Sequence, residues 1–368
     1  MIQYADDISI YIKGTNITQL TTEINKYMNT LAEYLEERNL IISPEKSTVT
    51  WFTPATAEAN LHPEVTIKEK QIKLDKTPKL LGVTFDTMFC FGPHIRNTVT
   101  KAKKKLNILK SLAGSSWGCE KEIILLTYKS IVRSVLEYGS QIWSPIIKLT
   151  HWNSLQTIQN QALRIATGCL TMTAISHLHS ETQVLPVKIH SNMKNRQYAA
   201  ACYLPGHPGH KNFTNPPPPR LMKRTISTQH KEEMDLLINP TDFNKQTYKQ
   251  TIKLIHTETV AKTISSFSPN KVTKQPALAI SSLEKTLTRK TRTELARLRA
   301  GYSRNLNSYM NRIDPEIQNR CPTCHTSPHD TNHLFNCPSK PTNLTPNDLW
   351  TNPVEAAYFL DLVEDPGD

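Results

Sequence analysis

Two places in this chain combine residue types and spacings that could do chemistry. The first is Tyr4-Ala5-Asp6-Asp7, two adjacent carboxylates behind an aromatic and a small residue. Hard carboxylate oxygens bind Mg²⁺ with part of its hydration retained, and a pair of such ions stabilises the attacking and leaving oxygens of a phosphoryl displacement. Asp6 and Asp7 are therefore candidate catalytic and Mg²⁺-binding residues, although an ordinary acidic turn between two strands carries the same four letters. The second place is Cys321-Pro322-Thr323-Cys324, then eight residues, His333, three residues and Cys337. Cys321, Cys324, His333 and Cys337 have the soft and borderline donors that close a tetrahedral structural Zn²⁺ site, with no open position and so no chemistry of its own. The competing reading is three unligated cysteines. His325 and His329 enter the set only if one of them replaces His333.

Each candidate needs an element to hold it. Asp6 and Asp7 precede the alternating run Ile8-Ser9-Ile10-Tyr11-Ile12, which puts the carboxylates on a hairpin turn. Leu20, Ile24, Tyr27, Met28, Leu31 and Leu35 recur at helical spacing, predicting an amphipathic helix whose apolar stripe packs beneath the sheet. Short strands are expected between Val65 and Asp86. Helices are expected from Pro93 to Leu112, from Glu120 to Tyr138, from Trp152 to Thr167 and over Ile175–Leu204. The first carries Lys101, Lys103, Lys104 and Lys105, a basic face that either follows a nucleic-acid backbone or is simply solvated. From Ser282 to Ala300 a further helix points Leu283, Leu287, Leu295 and Leu298 one way. Lys285, Arg289, Arg292 and Arg299 fall on another side, a stripe suited to tracking phosphates.

Composition bounds the partners. The 368 residues hold 44 Lys+Arg against 32 Asp+Glu, a formal charge of +12, which favours a polyanionic partner. Mean hydropathy is −0.45, and 24 prolines against 11 glycines imply loop-rich connections. No apolar run approaches bilayer length, and no secretory signal is visible, so no membrane partner is expected. The scattered Cys90, Cys119, Cys169 and Cys202 fit reduced, intracellular thiols. Pro205-Gly206-His207-Pro208-Gly209-His210 and Pro216-Pro217-Pro218-Pro219 break all periodicity and read as a linker.

Several of these segments, in this order, resemble the reverse transcriptases of non-LTR retrotransposons, in particular jockey-like elements. Tyr4-Ala5-Asp6-Asp7 resembles a palm motif, Ile41-Ile42-Ser43-Pro44-Glu45-Lys46-Ser47 the next one, and Leu80-Leu81-Gly82-Val83-Thr84-Phe85-Asp86 the primer grip. Tyr128, Val132, Leu136, Tyr138-Gly139 and Trp143, then Leu155-Gln156, Gln159-Asn160 and Ala162-Leu163-Arg164, are similar to the thumb. His333-Leu334-Phe335-Asn336-Cys337-Pro338 resembles the C-terminal knuckle of such enzymes. The resemblance implies an RNA-directed DNA polymerase that adds deoxynucleotides to a DNA primer on an RNA template, with Mg²⁺ at Asp6 and Asp7 and RNA at the Zn²⁺ knuckle. It implies no small-molecule cofactor beyond the dNTP. Lys46 would lie on the triphosphate side, or be a solvent-exposed turn lysine. Arg164 would face a primer strand, or serve in capping and packing.

The implied fold is α+β: a truncated palm of short antiparallel sheet plus helix, a helical thumb, and a mostly helical C-terminal region with a small zinc knuckle. The expected divisions are a partial palm over 1–90, thumb and connection over 91–204, Pro-rich linker and polar region over 205–280, basic helix and knuckle over 281–345, and a tail over 346–368. The family has a further palm aspartate upstream of the Tyr-x-Asp-Asp turn, whereas only Met1-Ile2-Gln3 precede Tyr4 here. The polypeptide as it stands is therefore expected not to polymerise DNA. A nucleic-acid-binding protein built from thumb, basic helix and knuckle is the alternative, and a relic reading frame without a stable fold is the third. The expected setting is an intracellular ribonucleoprotein, nuclear or cytoplasmic.

Overall fold

The computed structural model describes residues 1–114, 116–215, 225–276 and 278–363. The chain forms two compact units, Met1–Arg96 and Asn97–Asp368. The Pro216–Pro219 run lies outside the described residues.

The first unit opens on a hairpin of β1 (Ile2–Tyr4) and β2 (Asp7–Ser9), antiparallel with Tyr4 opposite Asp7. The two-residue connection places Ala5 at φ 53°, the left-handed turn that a tight hairpin requires. Helix α1 (Ile17–Glu36) starts at Asn16, whose Oδ1 accepts from the N–H of Thr18 at 2.9 Å and of Gln19 at 3.2 Å. Short strands follow: β3 (Thr48–Val49), β4 (Thr66–Ile67), β5 (Lys70–Gln71), β6 (Lys73–Leu74), β7 (Lys79–Leu80) and β8 (Val83–Thr84). They pair as separate two-stranded ladders, β4 with β5 and β7 with β8 antiparallel, but β3 with β6 parallel. The single short antiparallel sheet expected here does not form; strands of two residues are too short to extend one ladder into the next.

The expected packing of α1 on the strands is present. Met28 joins Val65, Ile67 and Ile72 in a small core, with Ile10, Ile24, Ile42 and Val49 against it. Asn25 clasps the strand edge: its Oδ1 accepts from Thr66 N at 2.9 Å and its Nδ2 donates to Glu64 O at 3.0 Å. Phe52 stacks on Phe89 at 4.7 Å, and Phe85 sits 5.5 Å from Phe91.

Helix α2 (Gly92–Leu112) leads into the second unit. Next comes α3 (Lys121–Thr127), which runs through a π-helical stretch at Tyr128–Arg133 into α4 (Ser134–Leu136). This is the expected Glu120–Tyr138 helix with a widened middle, where Tyr128, Val132 and Leu136 are fully buried. Then follow α5 (Ser140–Trp143), α6 (Leu149–Thr167), α7 (Ile175–Thr182) and α8 (Val187–Ala201). The expected helix over Ile175–Leu204 is broken because Gln183 is left-handed, φ 53°, and Pro186 caps the second piece. Trp143 is fully buried 5.7 Å from Trp152, and Leu155, Ile158 and Leu163 complete that core.

The region expected to be linker and polar chain contains three packed helices: α9 (His210–Thr214), α10 (Ile226–Leu237) and α11 (Lys245–Ser265). Met193, Ala199, Ala200, Phe213, Met234 and Ile255 bury together there. Capping boxes at Thr225 and Asn244 start α10 and α11, a polar signal that outweighs their weak apolar periodicity. After a 3₁₀ turn at Ser282–Thr286 come α12 (Arg289–Ala300), α13 (Asn307–Ile313), α14 (Thr331–Leu334), α15 (Asp348–Thr351) and α16 (Pro353–Phe359). Their core is Leu295, Leu298, Leu306, Phe335, Leu349 and Trp350.

Helix α6 ends at Gly168, φ 68°, where an added Cβ would meet Thr293 Cγ2 at 2.4 Å. Gly168→Ala is expected to destabilise the chain by about 1–3 kcal/mol through left-handed strain and the clash with a buried side chain. Urea unfolding measures it; a midpoint unchanged from wild type would show that this junction does not bear the packing described.

Candidate metal centre and nucleic-acid interface

Among the described residues, the cluster of three or more His, Cys, Asp and Glu able to hold a metal is Cys321, Cys324, His333 and Cys337. Their ligand atoms all lie within 4.8 Å of one another. Cys321 Sγ is 3.9 Å from Cys337 Sγ, and Cys324 Sγ is 3.2 Å from His333 Nε2. Local chain geometry explains the convergence. The Arg320–Pro328 bridge and the Cys321 N–H to Ser327 O bond at 2.9 Å fold the Cys-x2-Cys segment back on itself. His325 takes the left-handed turn, φ 58°, and its backbone N–H donates to Cys321 O at 3.0 Å. Asp330 caps α14 by accepting from His333 N at 2.9 Å, which aims the imidazole at the thiols.

The thiols are tuned by these contacts. Hydrogen bonding from the Thr326 hydroxyl, then from the Thr326 and Ser327 amides, draws Cys324 down to about 6. For Cys321, burial pushes upward but amides of Cys324 and Thr323 outweigh it, so the net shift is downward. Burial raises Cys337. Burial alone would lower His333; its hydrogen bonds to Cys321 and Cys324 reverse that and raise it. His329 lies outside the cluster, its Nδ1 accepting from Asn307 N at 3.1 Å. The loop is anchored to α12 by Thr331 Oγ1, which donates to Leu298 O at 3.0 Å.

Asp6 and Asp7 sit exposed at the β1–β2 hairpin. No third metal-ligating residue joins them among the described residues. Those residues therefore supply two ligands and no closed set for a pair of Mg²⁺ ions. Lys46 is exposed in the turn before β3. Lys101, Lys103, Lys104 and Lys105 are exposed on α2, while Ala102, Leu106 and Leu109 bury the opposite side. Arg164 is half-buried, its Nη2 donating to Thr171 O at 3.2 Å and Thr173 O at 3.3 Å, so it braces the loop after α6.

The basic stripe of 282–300 is corrected by the structure. Thr288 N-caps α12 and separates it from the 3₁₀ turn, so Ser282–Ala300 is not one helix. Lys285 is exposed on that turn, as is Leu283. Arg289, Arg292 and Arg299 are buried, at 6%, 6% and 0% exposure, and cannot reach a phosphate backbone. Arg289 donates to Gly114 O at 3.0 Å, Cys119 O at 2.8 Å and Ile165 O at 2.8 Å, satisfying carbonyls at the end of α6. Arg292 pairs with Glu120 at 2.6 Å and Glu122 at 2.5 Å. Arg299 pairs with Glu181 at 2.9 Å and with Glu284, and donates to Leu349 O at 2.9 Å. Lys121 reaches the same carboxylates, Glu181 at 3.2 Å and Glu284 at 3.0 Å. Burial alone would raise Glu181, but Arg299 and Lys121 more than offset it and hold it at about 2. Sequence reasoning missed Lys121, Glu181 and Glu284, because a charged residue is assigned to the surface unless a partner is visible, and the two glutamates lie 118 and 15 residues from Arg299.

Fold and site define a helix-rich chain with small two-stranded sheets and a Cys/His group able to hold a metal. The chain is related to the RNA-directed DNA polymerases of non-LTR retrotransposons, jockey-like elements among them. It is 25% identical over 201 residues to the probable RNA-directed DNA polymerase from transposon BS of Drosophila melanogaster, which covers 53% of this chain and 21% of that protein. It is 25% identical over 246 residues to the RNA-directed DNA polymerase from mobile element jockey of the same species, covering 64% and 26%. It is also 27% identical over 165 residues to the jockey polymerase of Drosophila funebris, covering 45% and 18%. The chain thus spans about a fifth to a quarter of the length of these relatives. No family model matches it, and no solved structure does. No described helix is long and apolar enough to cross a membrane.

Arg299→Leu leaves Glu181 and Glu284 short of a buried counter-charge and is expected to cost about 3–5 kcal/mol in urea unfolding. The pH dependence follows from the depressed Glu181. Its folded value of about 2 lies below the ordinary 4.5, so its contribution is complete above 4.5 and is lost as pH falls from there towards 2. Glu181→Gln should flatten the wild-type acid transition in that window, and an unchanged transition would remove this carboxylate from the account.

Proposed function

We propose that this chain is part of an RNA-directed DNA polymerase of a non-LTR retrotransposon, with the hairpin carboxylates Asp6 and Asp7 contributing to a Mg²⁺ site and the rest holding RNA template and DNA primer. The observation that carries this reading is the similarity to jockey and transposon BS polymerases across about half the chain or more. The +12 charge supports a polyanionic partner. Alone, the chain binds nucleic acid without extending a primer, since Asp6 and Asp7 have no third metal ligand among the described residues. Its setting is an intracellular ribonucleoprotein.

The Cys321, Cys324, His333 and Cys337 group is a structural Zn²⁺ knuckle on this reading. Thiolates around a tetrahedral ion at Zn–S of about 2.3 Å stand about 3.7 Å apart. The 3.9 Å between Cys321 and Cys337 supports that geometry. Zn²⁺ would hold the 321–337 loop closed; the protein's own residues, through Thr331 and Asp330, hold that loop on α12. The nucleic-acid surface of the second unit is the α2 ridge of Lys101, Lys103, Lys104 and Lys105, and Lys285 is a further exposed cation of that unit; Lys46 is exposed separately in the first unit. Arg289, Arg292, Arg299 and Arg164 are not part of it, since their guanidiniums are committed to carboxylates and carbonyls.

Metal analysis of the purified chain is expected to give one Zn²⁺, lost in the Cys324→Ser variant together with protease resistance of the 321–337 loop. A metal-free loop that still resists protease counts against the knuckle. For the surface, replacing the four ridge lysines by glutamine should weaken single-stranded RNA binding and flatten its salt dependence by about 0.7 log units per decade of salt for each phosphate no longer neutralised. Primer extension on an RNA template, with Asp6→Asn as control, is expected to show no product. Extension that Asp6→Asn abolishes would mean that the chain is a complete catalyst.

A further inference from the structure

Outside the α2 ridge and the four metal ligands, three segments of the second unit converge on the ring of Tyr302. Helix α12 ends at Gly301, φ 69°, and Tyr302 follows at once. Lys271 Cδ and Nζ lie 3.6 Å from the position a Cβ on Gly301 would take, so the lysine stem runs across this helix end. The turn that carries Lys271 is fixed by the buried Asn270. Its Oδ1 accepts from Val272 N at 2.8 Å and Thr273 N at 3.2 Å, while its Nδ2 donates to Arg299 O at 3.0 Å. The third segment is α13, which brings Arg312 and Tyr309, the latter with its ring centroid 6.0 Å from that of Tyr302. It is anchored in turn, with Asn307 N donating to His329 Nδ1 at 3.1 Å and Asn307 Nδ2 to Arg320 O at 2.9 Å.

Two cations end on that ring. Lys271 Nζ is 3.9 Å from the Tyr302 centroid and Arg312 Cζ is 6.0 Å from it, both within cation–π range. Both residues are exposed, and neither has a carboxylate partner among the described residues. Arg304, two residues beyond Tyr302, is a third exposed cation in the same position. The exposed carboxylates nearest in sequence, Asp314 and Glu316, follow α13, and Asp314 Oδ1 accepts from Glu316 N at 3.0 Å rather than from a cation. This is the reverse of the buried arginines of α12, whose guanidiniums are spent inside the fold. The ring face offsets part of the repulsion between the two cations and leaves their net charge uncancelled, so the surface presents fixed positive charge to an anion.

We propose that Lys271 and Arg312, held on Tyr302, bind phosphates of a nucleic-acid strand as a contact additional to the α2 ridge. The proposal rests on the nucleic-acid reading above for its class of partner, and on none of the residues used there. A guanidinium fork takes two oxygens of one phosphate, and a lysine ammonium takes another as a point charge. Tyr302 is a positioning residue: contact with its ring restricts two long side chains before the partner arrives, which lowers the entropy cost of fixing them. A phosphodiester strand carries a charge at every residue, so two fixed cations meet it in any register and without sequence preference. The same chemistry serves RNA or DNA.

The test is binding of a short single-stranded RNA, and of DNA of the same sequence, to the full chain across a range of salt. In the Lys271→Gln, Arg312→Gln chain the affinity should fall, and the slope of log affinity against log salt should flatten by about 1.4, from two phosphates at about 0.7 each. Tyr302→Leu should weaken binding and Tyr302→Phe should keep it, because the ring face and not the hydroxyl holds the cations. Should Tyr302→Leu fold poorly, the two exposed glutamine substitutions carry the test by themselves. The slope losses of this pair and of the four-lysine ridge variant should add. The strand bound more tightly names the source the site serves. A slope that falls in the ridge variant but not in the folded Lys271→Gln, Arg312→Gln chain overturns this proposal and leaves the nucleic-acid reading standing, whereas no binding of either strand overturns both. Wild-type binding by folded Tyr302→Leu also overturns it. So does polyglutamate that, in the ridge variant, competes as well as unlabelled strand of equal length, since the partner would then be an acidic polypeptide.

Discussion

The second unit depends on the pairing of Arg299 with Glu181 and Glu284. A fully buried guanidinium needs acceptors to offset its lost hydration, and here two carboxylates and the Leu349 carbonyl take four hydrogen bonds from it. Glu181 comes from α7, Glu284 from the 3₁₀ turn and Leu349 from α15, so one side chain ties three elements to α12. Lys121 adds α3 to the same cluster, and Arg292 brings the carboxylates of Glu120 and Glu122 to its edge. Dispersed through a core, such charges would each cost several kcal/mol. Gathered at one junction, they become a geometric specification: α12 can sit in only one rotation and one register. The neighbouring Leu295 and Leu298 then face Leu306, Phe335 and Trp350, which gives the C-terminal core its contents.

That junction also positions the metal group. The loop from 321 to 337 has little regular structure of its own, only the Arg320–Pro328 bridge and the single turn of α14. Its placement comes from Thr331 bonding the Leu298 carbonyl and from Phe335 entering the core beside α12. An ion would close the loop on itself, while α12 determines where the closed loop sits. The arginines expected to touch nucleic acid instead fix α12, the helix that holds this loop. Exposed positive charge on the α2 ridge is carried by Lys101, Lys103, Lys104 and Lys105, whose strongly hydrated ammonium groups leave water less readily than a guanidinium. On α2 they alternate with Ala102, Leu106 and Leu109, which bury the other side.

Residues with local signals were legible in the sequence and those with distant partners were not. The Cys-x2-Cys and His-x3-Cys spacings express a loop closure a few residues long, and the four donors do converge. The hairpin at Tyr4–Asp7 and the amphipathic α1 express periods of two and of 3.6, which a short window contains. By contrast, Arg289, Arg292 and Arg299 follow the spacing of a solvated stripe, and only partners outside α12, as far as 175 residues away, reverse that meaning. The 205–280 region shows its helices only as weak signals, near Met234–Leu237 and Tyr248–Ile255, for a related reason. α10 and α11 have few apolar residues and start at capping boxes of Thr225 and Asn244, so their burial depends on α8 rather than on their own pattern.

The hairpin shows why a recognisable motif and a working site differ. Phosphoryl transfer needs its carboxylates held to within about 0.5 Å, which side chains achieve only on elements locked by packing. An isolated two-stranded hairpin is marginal in water, and β1–β2 pairs with no other strand among the described residues. Ile2 and Tyr4 are 52% and 65% exposed, and Tyr11 is 70% exposed, so the apolar side chains that would lock the turn are themselves in solvent. On the proposed reading, a metal site at Asp6 and Asp7 would be limited by rigidity as well as by ligand count. A third carboxylate alone would not complete such a site; the hairpin also needs a surface on which Ile2 and Tyr4 can bury, and because Asp7 lies opposite Tyr4 on that same face, one neighbouring element could supply both.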